Sequence, residues 1–412
     1  MGLFYLIQIV PAHNNQIVTI LKKLIFLLGV FVVSCSSDND NNTINNPNTI
    51  VDFDFSEILD INFNDLPNYS NQPIPNYITK DNSNGNNITD EIAVLGRVLF
   101  YDKNLSTNGT ISCSSCHKQE FAFSDNINVS NGVNGTTGRH SMRLVNSRFA
   151  NEQKFFWDER ANTLEQQTTM PIKDHIEMGF SGENGDLSFD NLIQNLENTE
   201  YYPPLFEFAF GNSEISEAKI QIALAQFVRS IQSFDSKYDL GRSQAPNDGA
   251  PFLNFTPQEN NGKQLFLLPP VFNNQGIRID GGLGCAGCHQ APEFDIDPNS
   301  LNNGVIGNAN GTGTDLIVTR SPSLRDVIKS DGTSNGPFMH IGVSNNFMTV
   351  LTHYNEINVA GNNNLDPRLM PGGNPQQLNL TQQERNDVFE FMKTLAGNNI
   401  YTDPKWSNPF LD

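Results

Sequence analysis

The pentapeptide pattern C-x-x-C-H occurs twice in this 412-residue chain, at 113–117 and at 285–289. Its spacing lets two thiols add to the vinyl groups of one haem while the adjacent imidazole reaches the iron, which indicates covalent c-type haem attachment. A zinc site or a redox dithiol would also use paired cysteines, but neither needs the histidine that follows both times. The sequence therefore predicts two covalently bound haem c groups, attached through Cys113, Cys116 and His117 and through Cys285, Cys288 and His289.

The remaining cysteine, Cys35, lies at the end of an apolar run. A lysine pair at 22–23 precedes the apolar residues 24–31, and the small Ser34 stands just before the cysteine, as in a lipoprotein-type secretory signal. A transmembrane anchor is the alternative, but it would need ~20 apolar residues. We therefore predict a signal peptide at 1–34, a lipidated Cys35 that attaches the protein to a membrane, and a location on the periplasmic side of a bacterial envelope.

Polar and helical segments divide the rest of the chain. Residues 35–50 are mostly Asn, Asp and Ser and predict a disordered tether. Apolar periodicity and capping residues predict a helix before each haem motif and another at the end of each half. These four helices begin near Thr89, Glu214, Thr256 and Thr381.

The predicted fold is mainly α, with long loops and little strand. The order of helix, haem motif, loops and closing helix is that of a cytochrome c domain, and here it occurs twice. Glycine and proline residues between Lys237 and Thr256 favour a boundary in that stretch. We therefore predict two cytochrome c-like domains, at 51–240 and 241–412, each with one covalent haem.

The charge of the chain limits its partners. A formal net charge of −20 argues against nucleic acid, because a polyanion would be repelled. Two interpretations of the acidity stay open: attraction of a basic electron donor, or solubility alone.

Several segments resemble the bacterial di-haem cytochrome c peroxidases and their MauG relatives. They are Phe156–Arg160, Leu164–Gln167, Pro171–Ile172 and Glu177–Met178 between the two haem motifs, and Arg320–Arg325 and Pro337–His340 after the second. As a set these motifs are highly specific, and the resemblance runs from about residue 90 to the C terminus. It implies a peroxidatic haem in the N-terminal half and an electron-transfer haem in the C-terminal half.

The resemblance implies roles for three residues near the first haem, whose proximal ligand would be His117. Glu177 matches the distal acid/base group, and Gln167 matches the polar residue beside it. Trp157 matches a tryptophan that relays electrons between the haems. The plainer alternatives are a solvated carboxylate for Glu177 and a core residue for Trp157, while Gln166 competes with Gln167 for its role.

The sixth ligand of the second haem divides the family. His289 would be the proximal ligand, and the position of the sixth ligand is held here by Tyr354. Typical peroxidases have Met at this position and MauG-like members have Tyr, so Tyr354 favours the MauG-like branch. Met348 and His353 remain competitors for the iron.

Two departures from the family pattern affect the expected metal chemistry. The stretch 132–135 lacks the distal histidine of typical peroxidases, which implies a five-coordinate first haem. The family also holds a calcium ion between its haems, for which Asn335 and Pro337 are candidate carbonyl ligands here. His140 stands where the family has an Asn ligand, and calcium prefers oxygen ligands. The sequence therefore leaves two possibilities open: that calcium binds here, and that this chain has lost the ion.

Three classes of function remain from the sequence. The first is a peroxidase that reduces hydrogen peroxide to water with electrons from a small cytochrome c or cupredoxin. The second is a MauG-like oxidase that withdraws electrons from a protein or organic substrate through high-valent iron. The third is a di-haem electron carrier without catalysis, against which Glu177 and Gln167 argue. A monomer and a homodimer are both compatible with the sequence.

Overall fold

The computed structural model describes residues 53–151 and 154–411. The predicted signal peptide, the lipidated Cys35 and the polar tether therefore lie outside the described residues. Within the described part, we find no helix with the length and apolar character required to cross a bilayer.

Helices dominate the described residues, and the strands are short, which confirms the prediction of a mainly helical fold. The helices are α1 Asp90–Tyr101, α2 Cys113–Cys116, α3 Leu164–Thr169, α4 Phe189–Glu197, α5 Tyr202–Phe210, α6 Glu217–Ser230, α7 Lys237–Gln244, α8 Pro257–Leu267, α9 Phe347–Asn355 and α10 Gln382–Lys393. The strands form three antiparallel pairs: β1 Asn131–Gly132 with β2 Gly135–Thr136, β3 Pro270–Phe272 with β4 Arg278–Gly281, and β5 His289–Gln290 with β6 Asp295–Ile296.

Each half is built around two helices that cross at a glycine. A Cβ atom on Gly96 of α1 would lie 2.0 Å from the carbonyl oxygen of Ala223 in α6. A Cβ atom on Gly262 of α8 would lie 1.9 Å from the carbonyl oxygen of Asp387 in α10. Because neither position has room for a side chain, the backbones of both pairs come into direct contact.

The predicted capping boxes begin the helices of the second half. The Thr256 hydroxyl accepts a hydrogen bond from Glu259 N while the Glu259 carboxylate accepts one from Thr256 N, and Thr381 and Glu384 repeat this exchange before α10. Such reciprocal bonds satisfy backbone donors that a helix start would otherwise leave free. The starts of both helices are therefore confirmed as predicted.

The glycine and proline residues between Lys237 and Thr256 predict an interruption of regular structure. This prediction is wrong for the first 8 residues of the stretch, which are helical. Helix α7 occupies Lys237–Gln244, started by a capping box between Ser236 and Asp239. Gly241 lies inside this helix, where a Cβ atom would come within 2.4 Å of Asn254 Oδ1. The glycine therefore permits close packing and does not end the helix.

Buried apolar side chains form two clusters. The first includes α1, α5 and α6, and the second includes α8 and α10. The C-terminal tail returns to the first cluster, since Ile400 and Trp406 are buried in it. Tyr101 Oη donates to the Trp406 carbonyl at 2.6 Å, and Arg97 Nε donates to the Ser407 carbonyl at 2.7 Å. The last residues of the chain thus complete the N-terminal core.

Candidate functional site

The first haem motif lines a cavity of about 570 Å³ in the N-terminal half. Helix α2 carries Cys113 and Cys116 on its single turn, and His117 follows directly at its end. All three side chains face the cavity. Both cysteines are free thiols, so each sulfur is available for a bond to another group.

The His117 imidazole is oriented by the backbone. Its Nδ1 lies 3.3 Å from the carbonyl oxygen of Phe123, a contact that directs the other ring nitrogen to the cavity. Burial lowers the pKa of His117. The ring is therefore held in the neutral form that binds metal.

Glu177 lines the same cavity, and its carboxylate has no hydrogen-bond partner among the described residues. Its backbone is held firmly: Glu177 N donates to Asp174 Oδ1 at 3.0 Å, and its carbonyl accepts from Val133 N at 3.0 Å. Burial, reinforced by the negative charge of Asp174, raises the pKa of Glu177 to about 7. A carboxyl group with this pKa can both take and return a proton near neutral pH.

The two adjacent glutamines of α3 face in different directions. Gln167 is half-buried and lines the cavity with Glu177. Gln166 is exposed, and its Oε1 accepts a hydrogen bond from Asn162 N at 3.2 Å. Of the two candidates, Gln167 is therefore the one that the fold brings to the first motif.

The stretch 132–135, which lacks the distal histidine, forms the turn between β1 and β2. This hairpin rests on the segment of Glu177, because Asn134 N donates to Ile176 O at 3.2 Å and Asn134 Nδ2 donates to His175 O at 2.8 Å. A Cβ atom on Gly132 would lie 2.0 Å from Ile176 O. The hairpin thus fixes the backbone that carries Glu177.

One other described histidine, His140, lines the first cavity. Both of its ring nitrogens are engaged, since Nδ1 lies 3.0 Å from the Ile127 carbonyl and Nε2 lies 3.3 Å from Ser124 Oγ. Burial lowers the pKa of His140 to about 4, so the ring is neutral. Within residues 53–151 and 154–411, His117 is therefore the one histidine lining this cavity that keeps a ring nitrogen without a hydrogen-bond partner.

The second motif lines a cavity of about 700 Å³ in the C-terminal half. Cys285, Cys288 and His289 face it, and both cysteines are free thiols. Burial lowers the pKa of His289 to about 4, and its Nδ1 is buried without a partner among the described residues. This imidazole too is neutral, and its Nδ1 lacks the backbone contact that His117 has.

Tyr354, on α9, lines the second cavity. The other two candidate iron ligands, Met348 and His353, are not among the residues that line it. Helical spacing explains the choice: Phe347, Val350, Leu351 and Tyr354 share one face of α9 and all line the cavity. Met348 and His353 lie off that face, and His353 Nε2 is 2.9 Å from the Asn303 carbonyl.

Two residues near the Tyr354 hydroxyl, Asn303 and Met339, are not predicted from the sequence. Asn303 Nδ2 donates to Tyr354 Oη at 3.2 Å and lies 3.4 Å from Met339 Sδ, so the amide ties both side chains together. Met339 also lines the cavity. Its place beside His340, in the segment Pro337–His340 that resembles the family, is the signal in the sequence that points to it. Asn303 lies in an Asn-rich loop that offers no signal of its own.

A common wall separates the two cavities. Trp157 lines both, with its Nε1 donating to the His140 carbonyl at 2.7 Å and its ring centroid 6.2 Å from that of His340. Its own carbonyl accepts from Thr319 N and Arg320 N. The other residues that line both cavities are His140, Ser141, Met142, Arg143, Ile296, Arg320, Ser321 and Pro322.

The residues present fit two covalent haem groups. Each cavity combines a free thiol pair with an adjacent neutral imidazole, and each has the size of a small-molecule site, within roughly 300–1,000 Å³. The cavities differ at the opposite wall, where the first presents Glu177 and Gln167 and the second presents Tyr354. The arrangement can therefore support proton transfer in one cavity and axial ligation in the other.

Comparison with known proteins gives consistent matches. A family model described as di-haem cytochrome c peroxidase matches residues 90–245. The methylamine utilization protein MauG of Methylophilus methylotrophus is 30% identical over 324 residues, which are 76% of this chain and 84% of that protein. Cytochrome c551 peroxidase of Nitrosomonas europaea is 28% identical over 249 residues, 58% of this chain and 66% of that protein.

A solved structure agrees with these relatives. The crystal structure of a MauG-like protein associated with microbial copper homeostasis has a TM-score of 0.63 and 28% sequence identity. The match covers 82% of this chain and 99% of that chain. The shared fold thus extends over both cavities.

Proposed function

Because the chain belongs to the family of di-haem cytochrome c peroxidases and MauG proteins, we propose that this oxidoreductase reduces hydrogen peroxide to water. The observation that carries the proposal is the pairing of Glu177 with the first C-x-x-C-H motif in one cavity. A carbonyl-anchored imidazole on one side and an unpaired carboxyl group on the other are what peroxide cleavage requires.

The reaction consumes two electrons and two protons for each peroxide and yields two water molecules. When bound, the two haems supply an iron open to peroxide in the first cavity and an electron-transferring iron in the second. Glu177 takes the proton from one peroxide oxygen and returns it to the other, which then leaves as water. Gln167 donates a hydrogen bond that holds the peroxide in place, and Trp157 connects the two cavities for the electrons.

A MauG-like oxidase is the second candidate. The observation in its favour is Tyr354, whose hydroxyl lies in the second cavity where it can ligate iron. An oxygen ligand stabilises oxidised iron more than a thioether does, which favours withdrawing electrons from a protein or organic substrate. The engaged ring of His140 supports the same candidate, because neither of its nitrogens would be available as a second imidazole ligand for a haem bound in the first cavity.

Electrons enter through the C-terminal half, with a small cytochrome c or cupredoxin as the donor. We assign the first cytochrome c-like domain to 51–240 and the second to 241–412, a boundary that falls within α7, and the C-terminal tail packs on the first domain. Export, lipid attachment through Cys35 and a periplasmic location follow from the sequence and belong to the same proposal.

Adding hydrogen peroxide to the purified, oxidised holoprotein tests the function. We expect the absorption spectrum to change within the mixing time, and reduced small cytochrome c to be oxidised in a 2:1 ratio to peroxide. Turnover only after one haem has been reduced would identify a peroxidase of the typical kind. A stable two-electron-oxidised state without donor would identify the MauG-like oxidase. Absence of any reaction with peroxide would leave an electron carrier and refute the proposal.

The rate of the peroxide reaction should depend on the protonation of Glu177. The carboxylate form accepts the peroxide proton, and burial places its pKa at about 7. Below that pH the carboxyl group is protonated and cannot act as a base, so the rate should fall about tenfold for each further pH unit. Stopped-flow measurement from about pH 5 to about pH 9 checks this. A rate independent of pH in the wild type, or the same pH limb in Glu177→Gln, would contradict it.

A further inference from the structure

Two loops from opposite halves of the protein meet at the wall between the cavities. His140 N donates to the His340 carbonyl at 2.7 Å. Gly336 has φ +105°, and a Cβ atom there would lie 2.1 Å from the Asp125 carbonyl oxygen. Gly342 has φ +61°, and its Cβ would lie 2.6 Å from Asn128 Cα. The loops are in backbone contact, with no room for side chains at these points.

Arg143 extends from the first loop into this contact. Arg143 lines both cavities, and its Nη2 donates to the Asn335 carbonyl of the second loop at 2.5 Å. In the described ranges, no carboxylate forms an ion pair with Arg143 and its Nε has no hydrogen-bond partner. Asp326 attracts it electrostatically from further away. A positive charge with no carboxylate at ion-pair distance is thus held where the halves join.

The Asn335 carbonyl is a position where the family resemblance expects a calcium ligand. Calcium needs six to eight oxygen ligands, and here that carbonyl already faces an N–H donor. The expected Asn ligand is replaced by His140, whose ring nitrogens are both engaged. Two buried oxygens nearby, Asn335 Oδ1 and Asp326 Oδ2, lack partners, so with the Pro337 carbonyl an ion would find three protein oxygens and would need water for the rest of its shell.

No carboxylate cluster replaces the missing ligand, since no group of three or more His, Cys, Asp or Glu side chains in 53–151 and 154–411 is arranged to hold a metal ion. Because a guanidinium already binds the Asn335 carbonyl and His140 stands where the family has an Asn ligand, the residues present do not fit the calcium that the family resemblance implies. A guanidinium, in contrast, donates several N–H bonds in a fixed plane and keeps its charge at all physiological pH values.

We propose that the Arg143 guanidinium takes the place of the calcium ion between the haems, so that this chain joins its two haem cavities without a metal. The side chain supplies the positive charge and binds the same carbonyl that the ion would bind. Because it is covalently part of the chain, the contact does not depend on the calcium concentration outside the cell. The inference goes beyond the proposed function and holds whichever reaction the haems perform.

The wild-type holoprotein gives the first test. Elemental analysis should find iron but substantially less than one calcium per chain after purification without chelator. Its melting temperature and the midpoint potentials of both haems should be the same in EGTA and in calcium chloride. One calcium per chain, or a potential that shifts when EGTA is added, would overturn the proposal.

Substitution of Arg143 gives the second test. Arg143→Met removes the positive charge of a residue that lines both cavities, so the midpoint potentials of both haems should fall, because ferric iron is then stabilised. Arg143→Lys keeps the charge and should retain most of the wild-type potentials. Arg385→Met is the matched control: it removes an arginine that lines neither cavity and should leave both potentials unchanged. Unchanged potentials in Arg143→Met would refute the proposal.

A gain of calcium binding gives a third readout. In the double variant Arg143→Met with His140→Asn, the Asn335 carbonyl is free and an oxygen ligand is restored. Isothermal titration with calcium chloride should then show binding with a Kd of about 0.1–1 mM, the range of weak extracellular sites, whereas the wild type should show none. Calcium binding by the wild type would overturn the proposal. If Arg143→Met incorporates no haem, the wild-type calcium content and Arg143→Lys decide the question.

Discussion

Glu177→Gln is expected to slow the reaction of the oxidised holoprotein with hydrogen peroxide by about 10²–10⁴-fold, the usual contribution of a positioned acid/base group. Glutamine has nearly the same shape, so it keeps the packing of the loop that contacts Val133. It cannot accept a proton, however, and the transfer between the two peroxide oxygens loses its carrier. The backbone contacts of Glu177 do not involve its carboxyl group, so the fold should survive the change.

Glu183→Gln is the matched control. Glu183 lies on the same loop, but it is exposed and lines neither cavity. We expect wild-type rates from this variant and full haem content from both, measured as the pyridine haemochrome. Stopped-flow traces at several peroxide concentrations give the second-order rate constants. A Glu177→Gln rate within a factor of about three of wild type would exclude a role in proton transfer.

Tyr354→Met is expected to raise the midpoint potential of the C-terminal haem by on the order of 0.1 V or more, within the ~0.8 V span that axial ligands cover. A thioether favours ferrous iron, whereas a phenolate oxygen favours ferric iron. The direction of the shift follows from this difference alone. Spectroelectrochemical titration would follow the second haem, while the first haem should keep its potential to a good approximation.

The residues around Tyr354 supply two comparisons. Met348→Leu removes a thioether that does not face the cavity and should leave both potentials unchanged. Tyr354→Phe removes the oxygen and should convert the second haem to high spin, unless the thioether of Met339, which lines the same cavity, replaces it. If Tyr354→Met changes neither the potential nor the absorption spectrum, the iron has another ligand and the assignment of Tyr354 fails.

Local patterns in the sequence predicted local structure well. The capping boxes at Thr256 and Thr381 involve residues three apart, so the sequence contains both partners and the helix starts follow. Gly241 shows the limit of such reasoning. A glycine in a segment rich in helix-breaking residues favours a turn. Gly241 is needed for a different reason, because Asn254 and Phe252 pack so closely against the helix that a side chain would not fit. Contacts between distant residues decide such cases, and a local pattern does not reveal them.

The difference between local patterns and contacts of distant residues also limits what the sequence predicts about the candidate site. Glu177 and Gln167 were identified from the family resemblance, and the fold does bring them to the cavity of the first motif. That Tyr354 and not Met348 lines the second cavity is predictable from helical spacing, since Phe347, Leu351 and Tyr354 recur on one face. The contact of Arg143 with Asn335 joins residues 192 positions apart, and no periodic signal connects them. Sequence reasoning could not have found it.

The C-terminal tail affects the order in which this protein can mature. Ile400 and Trp406 complete the core that packs around α1 and α6, so this core stays incomplete until the end of the chain is available. A chain that emerges from its N terminus first therefore presents Cys113, which packs against this core, long before Ile400 and Trp406 arrive. We therefore expect the proposed haem attachment at the first motif to precede the packing of this tail, which then completes the core behind Cys113.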